Sequence, residues 1–279
     1  MKLQCREHVL SLDRVAIMGV LNVTPDSFSD GGLWLDPDAA VAHALEMVDQ
    51  GAAIIDIGGE STRPGAEPVA DHEELRRVIP VIEAVVDRVA VPISIDTRKE
   101  IVAREAVAAG ASIVNDTLGE AGTVERVAIE TGAALVVMHS RGTPATMRSL
   151  TDYGDVVGDV RTWLARRAEA LEAAGHPHEA IVLDPGFGFA KTPQQNLILL
   201  NRLDEIVELG YPVLVGTSRK SFIGAILDLD ESERLEGTAA TVTWAIAKGT
   251  HIVRVHDVGP ISRTVAVSEA IARGSLNEG

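Results

Sequence analysis

Cysteine is nearly absent from this chain of 279 residues, in which Cys5 stands alone. A lone cysteine excludes an internal disulfide and any cysteine-rich zinc site. Aromatic residues are scarce, at 3% against 46% hydrophobic residues in all. The core must then be built of alanine, valine, isoleucine and leucine, which suits a buried parallel sheet. Positive charge is also short, for the net charge is −16. That balance argues against nucleic acid and against an anionic membrane surface as partners. Lysine is limited to Lys2, Lys99, Lys191, Lys220 and Lys248, so each placed cation carries weight. No apolar run approaches the ~20 residues of a membrane span. The N-terminal MKLQCREHVL has no apolar signal core. A soluble, cytoplasmic protein is expected. The glycine-rich turns lack the GxGxxG spacing of a dinucleotide site.

What is present is a series of short apolar runs that end in polar residues. PVLVGTSRKSF, from Pro212 to Phe222, is the most pointed. A buried strand that ends in the adjacent cations Arg219 and Lys220 sets positive charge at the rim of a core. Such cations need an anionic or electron-rich partner, unless they only open the next helix in water. Seven other runs end in the same way. Val15 to Leu21 ends at Asn22, Ala52 to Ile57 in Asp56, Gly58 and Gly59, and Val91 to Ile95 at Asp96. Ala111 to Val114 ends in Asn115 and Asp116, Ala134 to Met138 at His139, and Ile181 to Leu183 at Asp184. Thr250 to Val255 carries Arg254, followed by His256 and Asp257.

Helical patterns lie between these runs. One opens at Asp36-Pro37 and closes at Gly51, and another is capped by Asp71 with Glu74 three residues on. Others span Lys99 to Ala109, Val156 to Ala174, Pro193 to Leu209, Arg234 to Lys248 and Ile261 to Ala272. Strict β/α alternation means parallel strands with right-handed crossovers. Eight units predict a closed (β/α)8 TIM barrel, a single domain over residues 1–279, with an open doubly wound sheet as the alternative. Val23 to Gly32 and Glu60 to Glu67 read as loops, and Phe28 is the one large apolar side chain in the first of them.

In a barrel the C-terminal strand ends share one mouth, where catalysis sits. Asn115, Asp184 and Lys220 suit a flat polar heterocycle, since a carboxylate accepts two parallel N–H bonds from an amino-pyrimidinone edge. Arg63, Arg254 and His256 suit phosphate. Asn22 and Asp96 are oxygen ligands for a hard cation such as Mg²⁺, which binds substrate phosphates through few protein groups. Plainer readings stand beside these. Asp56 and Asp184 can be strand-end caps, and His256 a structural histidine. His139 shapes the mouth, and His176 and His178 read as surface histidines at the opposite face.

The motifs resemble the dihydropteroate synthase family. They are MGVLNVTPDSFSDGG (Met18 to Gly32), DIGGESTRPGA (Asp56 to Ala66), SIDT (Ser94 to Thr97), VND (Val114 to Asp116) and VVMH (Val136 to His139). LDPGFGFAKT (Leu183 to Thr192), GTSRKSFIG (Gly216 to Gly224) and VRVHDV (Val253 to Val258) complete the series, in order over nearly the whole chain. The resemblance implies a TIM barrel that joins 6-hydroxymethyl-7,8-dihydropterin pyrophosphate to p-aminobenzoate by an SN1-like displacement. The products would be 7,8-dihydropteroate and pyrophosphate, in folate biosynthesis. It implies a pterin pocket of Asp96, Asn115, Met138, Asp184, Phe189, Lys220 and Arg254. It implies a pyrophosphate site of Asn22, Thr62, Arg63, Arg254 and His256, and Mg²⁺ held with the help of Asn22 and Asp96. The p-aminobenzoate would lie under Phe28, Pro64, Lys220 and Ser221. Asp96, Lys220, Arg254 and His256 would carry the catalysis. The family is a sulfonamide target and tends to dimerise, so a homodimer is expected, with Thr238 to Lys248 apolar enough to take part. A non-catalytic pterin-binding paralogue and a folate-binding corrinoid methyltransferase are the competing readings. The loop NVTPDSFSDGG and the SRKSF segment speak against the second of these.

Overall fold

A hairpin precedes the first expected strand. Residues Lys2–Cys5 (β1) and His8–Ser11 (β2) pair antiparallel, with Leu3 opposite Leu10 and Cys5 opposite His8. Alternation explains it, since Leu3 and Cys5 are buried while Lys2 is exposed. The expectation for this stretch held no strand at all, because two strands of four residues are too short to register beside the longer apolar runs. Burial pushes the Cys5 thiol up to about 12, so it packs as a small hydrophobe and not as a nucleophile.

The structure is a computed structural model and describes residues 1–24, 37–61, 66–117 and 123–275. Eight parallel strands follow the hairpin: β3 (Ala16–Asn22), β4 (Ile54–Gly58), β5 (Ile93–Asp96), β6 (Ile113–Asp116), β7 (Ala134–Met138), β8 (Ile181–Asp184), β9 (Leu214–Val215) and β10 (Ile252–Val255). Their ladder runs β8-β7-β6-β5-β4-β3-β10-β9. A parallel bridge from Leu183 to Val213, with the Leu183 N–H on the Pro212 carbonyl at 2.8 Å, joins the two ends into a ring. This is the TIM barrel that the alternation predicted.

Among the described residues the helices are α1 (Pro37–Asp49), α2 (Asp71–Val86), α3 (Glu100–Ala108), α4 (Val124–Thr131), α5 (Val156–Ala173), α6 (Pro193–Asn201), α7 (Asp204–Val207), α8 (Ser221–Leu227), α9 (Leu235–Ala247) and α10 (Val258–Arg273). None is long and apolar enough to cross a membrane. The sequence pattern had not located α4. It had also joined α6 and α7 into one helix, which the structure interrupts between Asn201 and Asp204. Thr192 and Gln195 form a reciprocal capping box at the start of α6. At α2 the expected cap is absent. Ala70 is the N-cap residue with no side-chain bond, and Glu74 is fully buried elsewhere.

Two apolar layers hold the barrel. Ile55, Ile57, Ile93, Ile95, Val114, Leu135, Val137, Ile181, Leu183, Val253 and Val255 face the helices. Residues of the other parity fill the ring: Ala16, Met18, Ile54, Ile113, Ala134, Val136, Val182, Leu214 and Ile252. Leu3 and Cys5 of the hairpin join that inner cluster, so the hairpin closes the floor. His176, expected at the surface, is 2% exposed. Gly175 ends α5 with φ +91°, and the His176 N–H returns to the Leu171 carbonyl at 3.0 Å. This Schellman turn swings the residue after the glycine inward. His178 does lie at the surface, paired with Glu172 at 2.7 Å.

Candidate functional site

Strand parity builds the site. Side chains two residues apart share a face of a strand. Two residues beyond the inner apolar layer, five of the strands deliver their next inward side chain: Asp56 after Ile54, Asn115 after Ile113, Met138 after Val136, Asp184 after Val182 and Arg254 after Ile252. On β5 the pair is Ser94 and Asp96, both buried. One polar layer therefore caps the apolar interior at the C-terminal mouth.

Arg254 ties that layer together. Its Nε donates to Asp56 Oδ2 at 2.6 Å and its Nη2 to Asp96 Oδ2 at 2.7 Å. Asn115 Nδ2 donates to the same Asp56 oxygen at 3.1 Å, and Thr117 Oγ1 to Asp96 Oδ1 at 3.0 Å. Asp56 is fully buried, so it is a network member and not a strand-end cap. Its Oδ1 has no hydrogen-bond partner among the described residues. Burial, with Asp56 close by, raises the Asp96 carboxyl to about 7 in spite of Arg254.

Asp184 stands across the mouth. Its Oδ1 accepts the Gly186 N–H at 2.7 Å. Burial raises its carboxyl to about 6, against the pull of that N–H and of Lys220, Lys191 and Arg254. Lys220 lies with Nζ 4.2 Å from the centroid of the Phe189 ring, within cation–π reach. Met138, Met147, Phe189 and Ala190 form a small apolar cluster beside it. The two adjacent cations that end β9 thus part company. Arg219, at φ +57°, turns to a bidentate pair with Asp257 at 2.6 and 3.0 Å, while Lys220 turns to Phe189. His256 Nδ1 is 3.0 Å from Ser218 Oγ.

Asn22, Gly58 and Asp96 stand side by side in register on β3, β4 and β5. A Cβ at Gly58 would lie 3.5 Å from that of Asp96 and 3.7 Å from Asn22 Oδ1. Glycine thus leaves the amide and the carboxylate facing each other over bare backbone. Among the described residues no cluster of three or more histidine, cysteine or acidic side chains is arranged for a metal. The donor set fits a hard cation that brings most of its ligands with a phosphate substrate. Phe28, Thr62, Arg63 and Pro64 lie outside the described residues.

Sequence reasoning missed a second charged cluster beside the mouth. Lys99 Nζ donates to Glu74 Oε2 at 2.6 Å, lies 2.8 Å from Glu60 Oε2, and also donates to the Val69 carbonyl. Thr97 Oγ1 donates to Glu74 Oε1 at 2.7 Å. Lys99 therefore links residues on both sides of the segment from Ser61 to Pro68. The scarcity of lysine was the one available signal. His139 is 2% exposed, with its ring 5.2 Å from Trp163 edge-on, and burial depresses its imidazole to about 2, so it is neutral.

Comparisons with known proteins agree with one another. Residues 18–256 match the family described as pterin binding enzyme. A dihydropteroate synthase of Synechocystis sp. is 51% identical over 263 residues, 93% of this chain and 91% of that protein. One of Bacillus subtilis is 49% identical over 96% of this chain and 92% of its own length. Among solved structures, the Yersinia pestis dihydropteroate synthase with a sulfonamide drug complex superposes with TM-score 0.93 at 41% identity, covering 99% of this chain and 100% of that one. The Xanthomonas albilineans dihydropteroate synthase with 4-aminobenzoic acid gives TM-score 0.90 at 43% identity, over 97% of each chain.

Proposed function

The chain belongs to the pterin binding enzyme family, among its dihydropteroate synthases, and we propose from that premise how its barrel mouth divides between two substrates. The reaction is a transferase step of folate biosynthesis. It joins 6-hydroxymethyl-7,8-dihydropterin pyrophosphate to p-aminobenzoate and releases pyrophosphate. The observation that carries the residue assignment is the single polar layer of Asp56, Asp96, Asn115, Asp184 and Arg254 on one parity of the strands.

The pterin lies flat among Asp96, Asn115, Met138, Asp184, Phe189, Lys220 and Arg254. The Asp184 carboxylate accepts from the amino-pyrimidinone edge. Phe189 and Met138 line the ring face. Lys220, already over the Phe189 ring, donates to a ring acceptor. The pyrophosphate leaves toward Asn22, Thr62, Arg63, Arg254 and His256. Arg254 commits Nε and Nη2 to carboxylates, so Nη1 is the nitrogen that turns to the anion. Mg²⁺, when bound by Asn22 and Asp96 with the phosphates, supplies charge that stabilises the leaving group.

Departure precedes attack. An aromatic amine is neutral at about pH 7 and attacks without first losing a proton, so no strong base is required. The hard step is separation of pyrophosphate from the pterin methylene. Arg254 and His256 stabilise the developing anion. Asp96 stabilises the positive charge left on the pterin, which the ring delocalises. The amine enters beside Phe28, Pro64, Lys220 and Ser221, and sulfonamides, as aryl amines, compete there.

Two measurements test this reading. Dihydropteroate must form only when both substrates are present, one for each pyrophosphate released, and a protein that consumes neither substrate in the presence of the other would defeat it. Binding is also expected to be ordered. Calorimetry should find p-aminobenzoate binding weakly to free enzyme and at least about tenfold more tightly with pyrophosphate and Mg²⁺ present, a gain of about 1.4 kcal/mol. Equal affinity in both conditions would refute the order.

A homodimer through α9 and α10 completes the proposal. Trp244 is 48% exposed, Val267 61% and Ile271 72%, a large apolar exposure on two packed helices. Sedimentation should give twice the chain mass, and Trp244→Glu should shift it toward the monomer. A monomeric native protein would dispose of the idea.

A further inference from the structure

Lys191 is buried in the fold, and the polar groups in hydrogen-bond reach of its Nζ are neutral, with Asp184 acting on it only from farther away. Its Nζ instead meets the carbonyl oxygens of Gly186 at 2.9 Å, Phe189 at 3.1 Å and His139 at 3.4 Å, and His139 Nδ1 at 3.1 Å. A buried ammonium needs such partners, since desolvation otherwise removes its charge. Those partners exist only because the backbone bends for them. Gly186, Gly188 and Ala190 sit at φ +72°, +81° and +47° in alternation. Each left-handed residue turns the chain so that carbonyls point inward to one centre. Ala190 bears a side chain in that conformation, a strain that neighbouring contacts must hold. At Gly186 a Cβ would meet the His139 carbonyl oxygen at 2.0 Å, so the segment and the end of β7 touch at bare backbone.

The other side of the same segment is the pterin site. Asp184 precedes it and holds the Gly186 N–H. Phe189 lies within it, under Lys220 Nζ. A Cβ at Gly188 would stand 3.0 Å from the Lys220 side chain. Asn196 ties the remaining edge by accepting the Gly188 N–H at 2.7 Å.

We propose that Lys191 is a positioning residue for the pterin site. Its ammonium gathers the carbonyls of His139, Gly186 and Phe189, and so fixes residues 185–190 in the conformation that presents Asp184, Phe189 and Lys220 together. Neutral His139 is the fourth acceptor, its ring held by Trp163. Burial lowers the Lys191 ammonium to about 7, with Asp184 opposing and Arg141 and Lys220 reinforcing. The inference rests on the pterin site proposed above.

The test uses Lys191→Met, which keeps the stem and removes all donors, and Lys191→Gln, which keeps two. Calorimetry with the dihydropterin pyrophosphate, without amine, should show affinity reduced about tenfold to a hundredfold in the Met variant and less in the Gln variant, with the p-aminobenzoate KM at saturating pterin within about twofold of wild type. Unchanged pterin affinity in a folded Met variant would overturn the proposal. So would equal rises in both Michaelis constants, or failure of both variants to fold, since each assigns Lys191 to general stability. Asp184→Asn is measured alongside. If it loses pterin and the Lys191 variants do not, this inference fails alone. If it binds normally, the pterin-site reading fails first.

Discussion

Arg254→Ala is expected to destabilise the fold by about 3–5 kcal/mol and to leave almost no turnover, because it removes the cation that pairs with two buried carboxylates and leaves their charge uncompensated. In the native structure Arg254 donates to Asp56 at 2.6 Å and to Asp96 at 2.7 Å. Asp56 is 0% and Asp96 6% exposed, so both acids rely on protein partners to offset their charge. The loss has a pH dependence whose sign is fixed. The Asp96 carboxyl titrates at about 7 in the fold against 3.8 as its ordinary value. Between those values the folded state holds the extra proton, so this group's contribution to stability falls as the pH rises. Without Arg254 its folded value rises further. Urea unfolding should therefore show the Arg254→Ala penalty larger at about pH 8 than at about pH 5, where a proton on Asp96 relieves the repulsion. A penalty equal at both pH values would mean that the carboxylates are hydrated and that the triad is not an electrostatic unit.

Asp184→Asn should separate binding from stability. If the carboxylate pairs with the pterin edge, losing it leaves ligand donors without their acceptor, at about 1.5–3 kcal/mol or more for a charged partner. That is at least about a tenfold loss of pterin affinity. The same carboxylate strains the empty protein. Its folded value of about 6 lies above the ordinary 3.8, so above pH 6 the ionised form is disfavoured by folding. The cost is roughly 3 kcal/mol, which Asp184→Asn removes. Melting of the variant should therefore occur at or above the wild-type temperature while pterin binding collapses. If pterin binds the ionised carboxylate, wild-type affinity should fall as the pH drops below about 6, over and above the titration of Asp96 near 7. The Asp184→Asn protein should keep only the Asp96 limb. A less stable variant with normal affinity would make Asp184 a structural cap.

Most of the barrel was legible because its strands are buried on both faces and so stand out as apolar runs. Ala134–Met138 appears as expected, to the residue. The residues Pro212 and Val213 fell out of β9, which keeps only Leu214 and Val215, because proline has no N–H for the ladder and the Val213 N–H goes to His251 Nδ1 at 3.1 Å. The hairpin β1–β2 and helix α4 were too short to show a period. The site was legible at the level of strand ends, yet its wiring was not. Nothing in SRK distinguishes Arg219, committed to Asp257, from Lys220, set over Phe189. A backbone φ of +57° at Arg219 decides it, and residue type does not predict that angle for arginine. Glu74 three residues after Asp71 has the spacing of a helix cap, but the pull of Lys99 and Thr97 from the neighbouring strand end outweighs the local pattern. His176 was recoverable in principle, since the residue after a helix-ending glycine turns inward.

The first and last barrel strands in the chain are neighbours, with Ile252 of β10 beside Ala16 of β3. The chain emerges from the ribosome in order, so the acids arrive long before their cation. Asp56 and Asp96 are made with the first strands, and Arg254 is delivered by the last. Until then the two acids, on adjacent strands with Asp56 opposite Ser94 and Asp96 opposite Gly58, lack the guanidinium that joins them. Seating β10 therefore does two things in one event: it satisfies the open edge of β3 and brings the guanidinium between those acids. Completion of the catalytic mouth and completion of the fold are one step, so no partly assembled nascent chain carries a working site.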